Sequence, residues 1–237
     1  MNRRGFLGGL GLAVVVVAPG AALLSSARAT AISQEGRIRR WGMLIDVNRC
    51  ADNCDECITA CKEENGLVSH NRPETDVHWI RKVTVRDLRF GKSSSLPLMC
   101  QHCQYPPCVD VCPTGASFQR TDGVVLVDRH ICIGCRYCMM SCPYKARSFV
   151  HEPVSNQKPH APRGKGTVEA CTLCVHKIDS GGMPACVDAC AAKGHKAMVF
   201  GDLEDPDSEL SRKLGEYPGV ELRGDMRLKP NVRYFGV

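Results

Sequence analysis

Large aromatic rings are scarce in this sequence. Phe, Trp and Tyr make up 5% of 237 residues, while apolar content overall is an ordinary 43%. A chain of one- or two-domain length with so few rings leans on something besides an apolar core. No C-x2-C-H occurs, which argues against a covalently attached c-type haem. There is no glycine-rich nucleotide fingerprint and no nucleophile–base signature, so no catalytic residue is assigned. Beyond residue 29 no apolar run is long enough to span a bilayer.

Net charge is also a weak signal. The formal value is +6, from 31 basic and 25 acidic residues. Three of the basic residues, Arg3, Arg4 and Arg28, fall in an N-terminal stretch without acids, MNRRGFLGGLGLAVVVVAPGAALLSSARA. There Arg3 and Arg4 precede Phe6 and Leu7, a glycine-interrupted apolar run follows, and Ala27-Arg28-Ala29 offers small residues for cleavage. The stretch resembles a twin-arginine export signal, expected over 1–29, with a linker over 30–40. An ordinary secretory signal or a retained membrane anchor is the competing reading. That export route carries folded proteins, which suits a chain loaded with cofactor before export. Without the leader, 28 basic residues face 25 acidic ones, and bound metal–thiolate clusters would turn the balance negative. The charge therefore gives no reason to expect a nucleic-acid partner.

What the sequence does have is sixteen cysteines. They fall into four quartets: Cys50, Cys54, Cys57, Cys61; Cys100, Cys103, Cys108, Cys112; Cys132, Cys135, Cys138, Cys142; and Cys171, Cys174, Cys186, Cys190. Each ends in C-x3-C, and the third, CIGCRYCMMSCP, is the bacterial C-x2-C-x2-C-x3-C-P iron–sulfur run. Disulfides suit an exported chain, but a C-x2-C pair closes a tight loop poorly and restrains little chain. Zinc usually draws two C-x2-C pairs from separate segments. Three thiols in quick succession suit the corners of an iron–sulfur cube, and four [4Fe-4S] clusters are the favoured reading.

In two-cluster ferredoxins the fourth cysteine of a run ligates the neighbouring cluster. Applied here, that rule predicts two inner sets: Cys100, Cys103, Cys108 with Cys142, and Cys132, Cys135, Cys138 with Cys112. The outer sets are Cys50, Cys54, Cys57 with Cys190, and Cys171, Cys174, Cys186 with Cys61. In each run the first three thiols are expected on a loop, with the fourth opening a short helix. The extra residue between Cys50 and Cys54 is expected to bulge, which marks that site for unusual geometry. Strands are predicted over 41–47, 78–85, 123–128 and 197–200. The expected class is α+β: two ferredoxin-like modules of small hairpins and short helices around four clusters, with long loops and a C-terminal tail. The four-cluster region runs over 41–200, with the inner module over about 96–150.

CQHCQYPPCVDVCPTGA, CIGCRYCMMSCPYKAR and CTLCVHKIDSGGMPACVDAC resemble the four-cluster electron-transfer subunits that accompany molybdenum oxidoreductases and related respiratory complexes. RRWGMLIDVNRC, FGDLEDPDSELSR and the tail LKPNVRYFGV more narrowly resemble the iron–sulfur subunit of the sulfite-reductase-associated DsrMKJOP membrane complex. The resemblance implies a non-catalytic subunit passing single electrons along its clusters in dissimilatory sulfur metabolism. It implies a periplasmic location, with attachment to the membrane through partners. Those partners would be a quinone-interacting integral membrane subunit and a multihaem cytochrome c or other redox subunit. The alternative is the electron-transfer subunit of a polysulfide, thiosulfate or dimethyl sulfoxide reductase, or of nitrite reduction.

His102 and His176 lie beside cysteines, and hydrogen bonds that tune a cluster suit them better than ligation. HEPVSNQKPHAPRGKGTVEA reads as a loop, either a solvated insertion or a docking arm. Residues 201–237 are expected to form an irregular tail that docks a partner through Asn231-Val232-Arg233-Tyr234-Phe235.

Overall fold

The computed structural model describes residues 39–86, 88, 91 and 93–237. The export-signal residues Arg3 and Arg4 lie outside them. The chain is α+β, built from short elements. Strand β1 (Trp41–Asp46) is buried through its middle four residues and sits at the centre of a three-stranded sheet. A strand flanked on both edges and covered on both faces reads as the continuous apolar run Met43-Leu44-Ile45. Its antiparallel neighbour is β8 (Met198–Asp202), from Trp41 opposite Asp202 to Ile45 opposite Met198. Trp41 and Phe200 stack at 5.1 Å across that pair.

The third strand was not expected. Residues 232–235 form β9 (Val232–Phe235), parallel to β1, with Val232 and Tyr234 fully buried. Residues 209–216 form a helix, α6 (Glu209–Glu216), capped by the Ser208 hydroxyl, which accepts from the Ser211 N–H at 3.0 Å. Residues 201–237 are therefore not an irregular tail. Their alternating Val232 and Tyr234 fill the inner face of a sheet whose centre lies nearly two hundred residues earlier. Asn231 is fully buried too, donating from Nδ2 to the Trp41 carbonyl and accepting at Oδ1 from Arg40.

Three two-stranded hairpins complete the β structure. β2 (Ile80–Arg86) pairs with β3 (Ser93–Met99), β4 (Ser117–Gln119) with β5 (Val125–Val127), and β6 (Arg147–Phe149) with β7 (Val168–Ala170). Pro97 is tolerated in β3 because that strand has a partner on one side only. Strands thus occur at all four predicted places, with boundaries shifted by a few residues.

The helices correct one expectation. α1 (Glu56–Asn65) carries both Cys57 and Cys61; the short α4 (Val175–Ile178) follows Cys174, and α5 (Ala185–Ala192) carries both Cys186 and Cys190. α2 (Pro107–Asp110) carries Cys108, with Cys112 just beyond, and α3 (Tyr137–Ser141) carries Cys138, with Cys142 as its C-cap. Each of these helices except α4 therefore begins at the third cysteine of its run, and the fourth follows one turn later. The physical reason is that C-x3-C is an i, i+4 spacing, which places both thiols on one side of a turn. α1 packs on α5 and α2 on α3.

The loop over 151–166 folds back on its own chain. Arg163 donates to the Gly66 carbonyl at 2.7 Å and to both oxygens of buried Glu169 at 3.0 Å. Gly66 ends α1 with φ of 64°, and a side chain there would meet the Asn156 carbonyl. Only glycine meets both demands cheaply.

Candidate metal centres

All sixteen cysteines are free thiols. The structure brings them together in sets that cut across the runs. One concavity is lined by Cys50, Cys54, Cys57 and Cys190, walled by Ile45, Pro97 and Met198. Another is lined by Cys112, Cys132, Cys135 and Cys138, together with Val127 and Val168. Burial, reinforced by the neighbouring thiols of Cys108 and Cys142, pushes Cys100 up to about 12. Burial, then Cys100, Cys108 and Cys142, likewise pushes Cys103 up. Burial and then Cys174 push Cys61 up to about 12, and Cys171 is raised by burial, Cys61, Cys186 and Cys174. The fourth thiol of each run thus sits with the first three of another.

Crowded thiols of this kind resist ionisation, since each thiolate is desolvated and repelled by the others. Cys57 is the pattern in the first concavity: burial, then Cys50, Cys190 and Cys54, raise it to about 12. A bound cation reverses that balance, because metal ligation takes the thiolate form.

The chain also aims donors at these sulfurs. Backbone N–H groups of Ser117, Leu173 and Ala197 donate to Cys112, Cys171 and Cys190 at 3.3, 3.4 and 3.2 Å. For Cys112 burial works upward, but the N–H bond from Ser117 and contacts with Thr114 bring it below the ordinary thiol value. Arg147, almost fully buried, donates to Cys108 Sγ at 3.0 Å.

Two buried groups test what the sites can hold. His102 is fully buried, and its Nδ1 accepts from the Val125 N–H at 3.0 Å. The ring proton therefore sits on Nε2, which has no partner among the described residues. Burial, then the Arg147 charge, hold the ring neutral, with its pKa lowered to about 3. Arg147 has thiols around it and an unpartnered Nε. Both are donors in want of acceptors, which sulfur-rich anionic clusters supply and a tetrathiolate zinc site supplies less of. The residues fit [4Fe-4S] clusters.

The bulge in the first run has a clamp that the sequence reading missed. Lys82 Nζ, from β2, donates to the carbonyls of Ala51, Asp52 and Cys54 at 2.5, 2.6 and 2.8 Å. His176 departs from expectation. Its Nε2 meets Glu64 Oε1 at 2.7 Å and its ring stacks on His160 at 3.7 Å, so it fastens the 151–166 loop to α1.

A chain of thiol-lined sites held by hairpins and short paired helices defines an iron–sulfur protein of ferredoxin type. The profile of the 4Fe-4S dicluster domain matches residues 92–203. The Hdr-like menaquinol oxidoreductase iron–sulfur subunit 1 of Archaeoglobus fulgidus is 39% identical, over 99% of this chain and 97% of its own length. A tetrathionate reductase subunit of Salmonella typhimurium is 35% identical over the whole chain and 88% of its own length. Protein NrfC of Escherichia coli K12 is 35% identical, over 98% and 93% respectively. The chain belongs to this family of ferredoxin-type electron-transfer subunits of molybdenum-oxidoreductase-type complexes.

Proposed function

We propose that the protein is an exported electron-transfer subunit that holds four [4Fe-4S] clusters and passes single electrons through a membrane-bound respiratory complex. The reading is supported by thiols that come together across the runs: Cys190 lines one concavity with Cys50, Cys54 and Cys57, and Cys112 lines another with Cys132, Cys135 and Cys138. In the outer sets Cys50, Cys54, Cys57 and Cys190 would hold one cluster, and Cys61, Cys171, Cys174 and Cys186 the next. In the inner sets Cys100, Cys103, Cys108 and Cys142 would hold a third, and Cys112, Cys132, Cys135 and Cys138 the fourth. When bound, such a cluster supplies reversible one-electron chemistry. The chain's own residues bury eleven of the sixteen thiols, hold their spacing and direct N–H donors at sulfur.

Among the described residues no helix is long and apolar enough to cross a membrane. Attachment through a quinone-interacting membrane subunit fits the menaquinol oxidoreductase named for one relative. A multihaem cytochrome c is the second partner we propose, with a periplasmic site of action and a role in dissimilatory sulfur metabolism. A second reading, the electron-transfer subunit of a molybdenum reductase, is supported by the tetrathionate and dimethyl sulfoxide reductase subunits among the relatives. Anaerobic purification with companion chains tests both. About sixteen irons and matching sulfide are expected for four clusters. A colourless protein carrying zinc would overturn the proposal. A co-purifying multihaem cytochrome selects the first reading and a large pterin-binding chain the second.

A further inference from the structure

Arg147 opens β6 and is 5% exposed. Its Nη2 donates to Cys108 Sγ at 3.0 Å, and its Nη1 donates to the Ser117 hydroxyl. Ser117 in turn donates its backbone N–H to Cys112 Sγ at 3.3 Å, and the Arg147 charge opposes the burial that raises Cys138. No carboxylate of the described residues pairs with it, in contrast to the other buried arginine, Arg163, which is matched by Glu169. A buried guanidinium without an opposite charge is strongly unfavourable. The anions that justify Arg147 must therefore be thiolates. They come from different sets: Cys108 lies in the inner set closed by Cys142, and Cys138 in the inner set closed by Cys112.

One cation thus touches a ligand sulfur of one inner site directly and reaches the other through Ser117. Two neighbouring clusters repel each other more when both are reduced, since each added electron raises the negative charge in a poorly screened interior. A fixed positive charge between them offsets that repulsion and favours the reduced state of both. Resting on the four-cluster reading above, we propose that Arg147 is a shared tuning residue of the two inner clusters, raising both their potentials and letting both stay reduced at once. A guanidinium suits the task better than an ammonium, because its planar fork reaches two acceptors from one position.

The test is a redox titration followed by electron paramagnetic resonance on the full chain with its companions, comparing the natural protein with Arg147→Met and Arg147→Lys. With Met, at unchanged iron content, two of the four midpoints should fall and draw further apart, while the other two stay. Lys should give a smaller shift. Four clusters with all midpoints unmoved, or all four moved alike, would overturn the role. Should Arg147→Met fail to assemble, the natural protein grown on 15N-arginine carries the test. Pulsed resonance should then find arginine nitrogen coupled to two distinct reduced clusters. Coupling to one or none would sink the idea while leaving the four-cluster reading intact. A natural protein that binds no iron removes both.

Discussion

The Tyr234 hydroxyl donates to the Pro97 carbonyl at 3.0 Å and accepts from Gln101 Nε2 at 3.1 Å. That ring, fully buried in β9, ties the three-stranded sheet to β3 and to the loop of the second quartet. Tyr234→Phe should cost about 1–2 kcal/mol, because it leaves Pro97 and Gln101 without their buried partner. Denaturant midpoints of the iron-loaded protein would show it. Removing residues 226–237 takes away β9 and should prevent accumulation of folded protein. A truncated chain with full iron content would show that the strand is dispensable.

Lys82 should decide whether the first run can close around metal. Its ammonium holds three carbonyls of the stretch from Ala51 to Cys54. Lys82→Met should loosen that bulge and lower iron from about sixteen to about twelve per chain, with one cluster signal lost. Retention of all four signals would show that the bulge is set by the thiols alone.

Glu169 is fully buried and serves Arg163 on two oxygens, with Trp79 Nε1 donating at 3.2 Å. Glu169→Gln keeps the shape but strands the Arg163 charge, at a cost of about 3–5 kcal/mol. Replacing both, Arg163→Met with Glu169→Leu, should recover much of it. Thermal unfolding of the two variants side by side measures the difference.

Asp76 organises the segment over 69–76, accepting from the Ser69 hydroxyl and from the N–H groups of His70 and Arg72. Burial works upward on its carboxyl, but those three donors hold it below the ordinary value. A depressed pKa means that its stabilisation is present above about pH 4 and is lost as pH falls through the folded value. Protection of the His70 and Arg72 amides against exchange, relative to the intrinsic rate at each pH, should therefore hold at neutral pH and fall only on the acid side. Asp76→Asn, with no charge to lose, should show lower protection of these amides at neutral pH and little further change in it on acidification.

The cysteine runs were legible because their information is local: spacings of two and three residues between cysteines encode loop, turn and helix at once. The strands at 41–46 and 198–202 were legible as apolar runs. What stayed hidden was long-range. Val232 and Tyr234 alternate as strand residues do, but nothing near them announces that Met43 and Ile45 are their neighbours. Lys82 and Arg147 look like ordinary cations in sequence, since their roles depend on carbonyls and thiols supplied by other parts of the chain. The helix start was misjudged by one cysteine because a run names its thiols without saying which of them the first turn encloses. His176 lies two residues from Cys174, yet it faces Glu64 across the fold.

The interleaving of the runs has a consequence for biosynthesis. All eight thiols of the inner sets have been translated by Cys142, whereas each outer set waits for thiols beyond residue 170, and the central sheet waits for Phe235. Under the proposed four-cluster reading, a ribosome delivering this chain completes the inner thiol sets before the outer ones. A prematurely terminated product keeps Cys50 to Cys61 as orphaned thiols and lacks the strand that would cover them. If the four sites load as proposed, the two outer ones can close only on a finished chain.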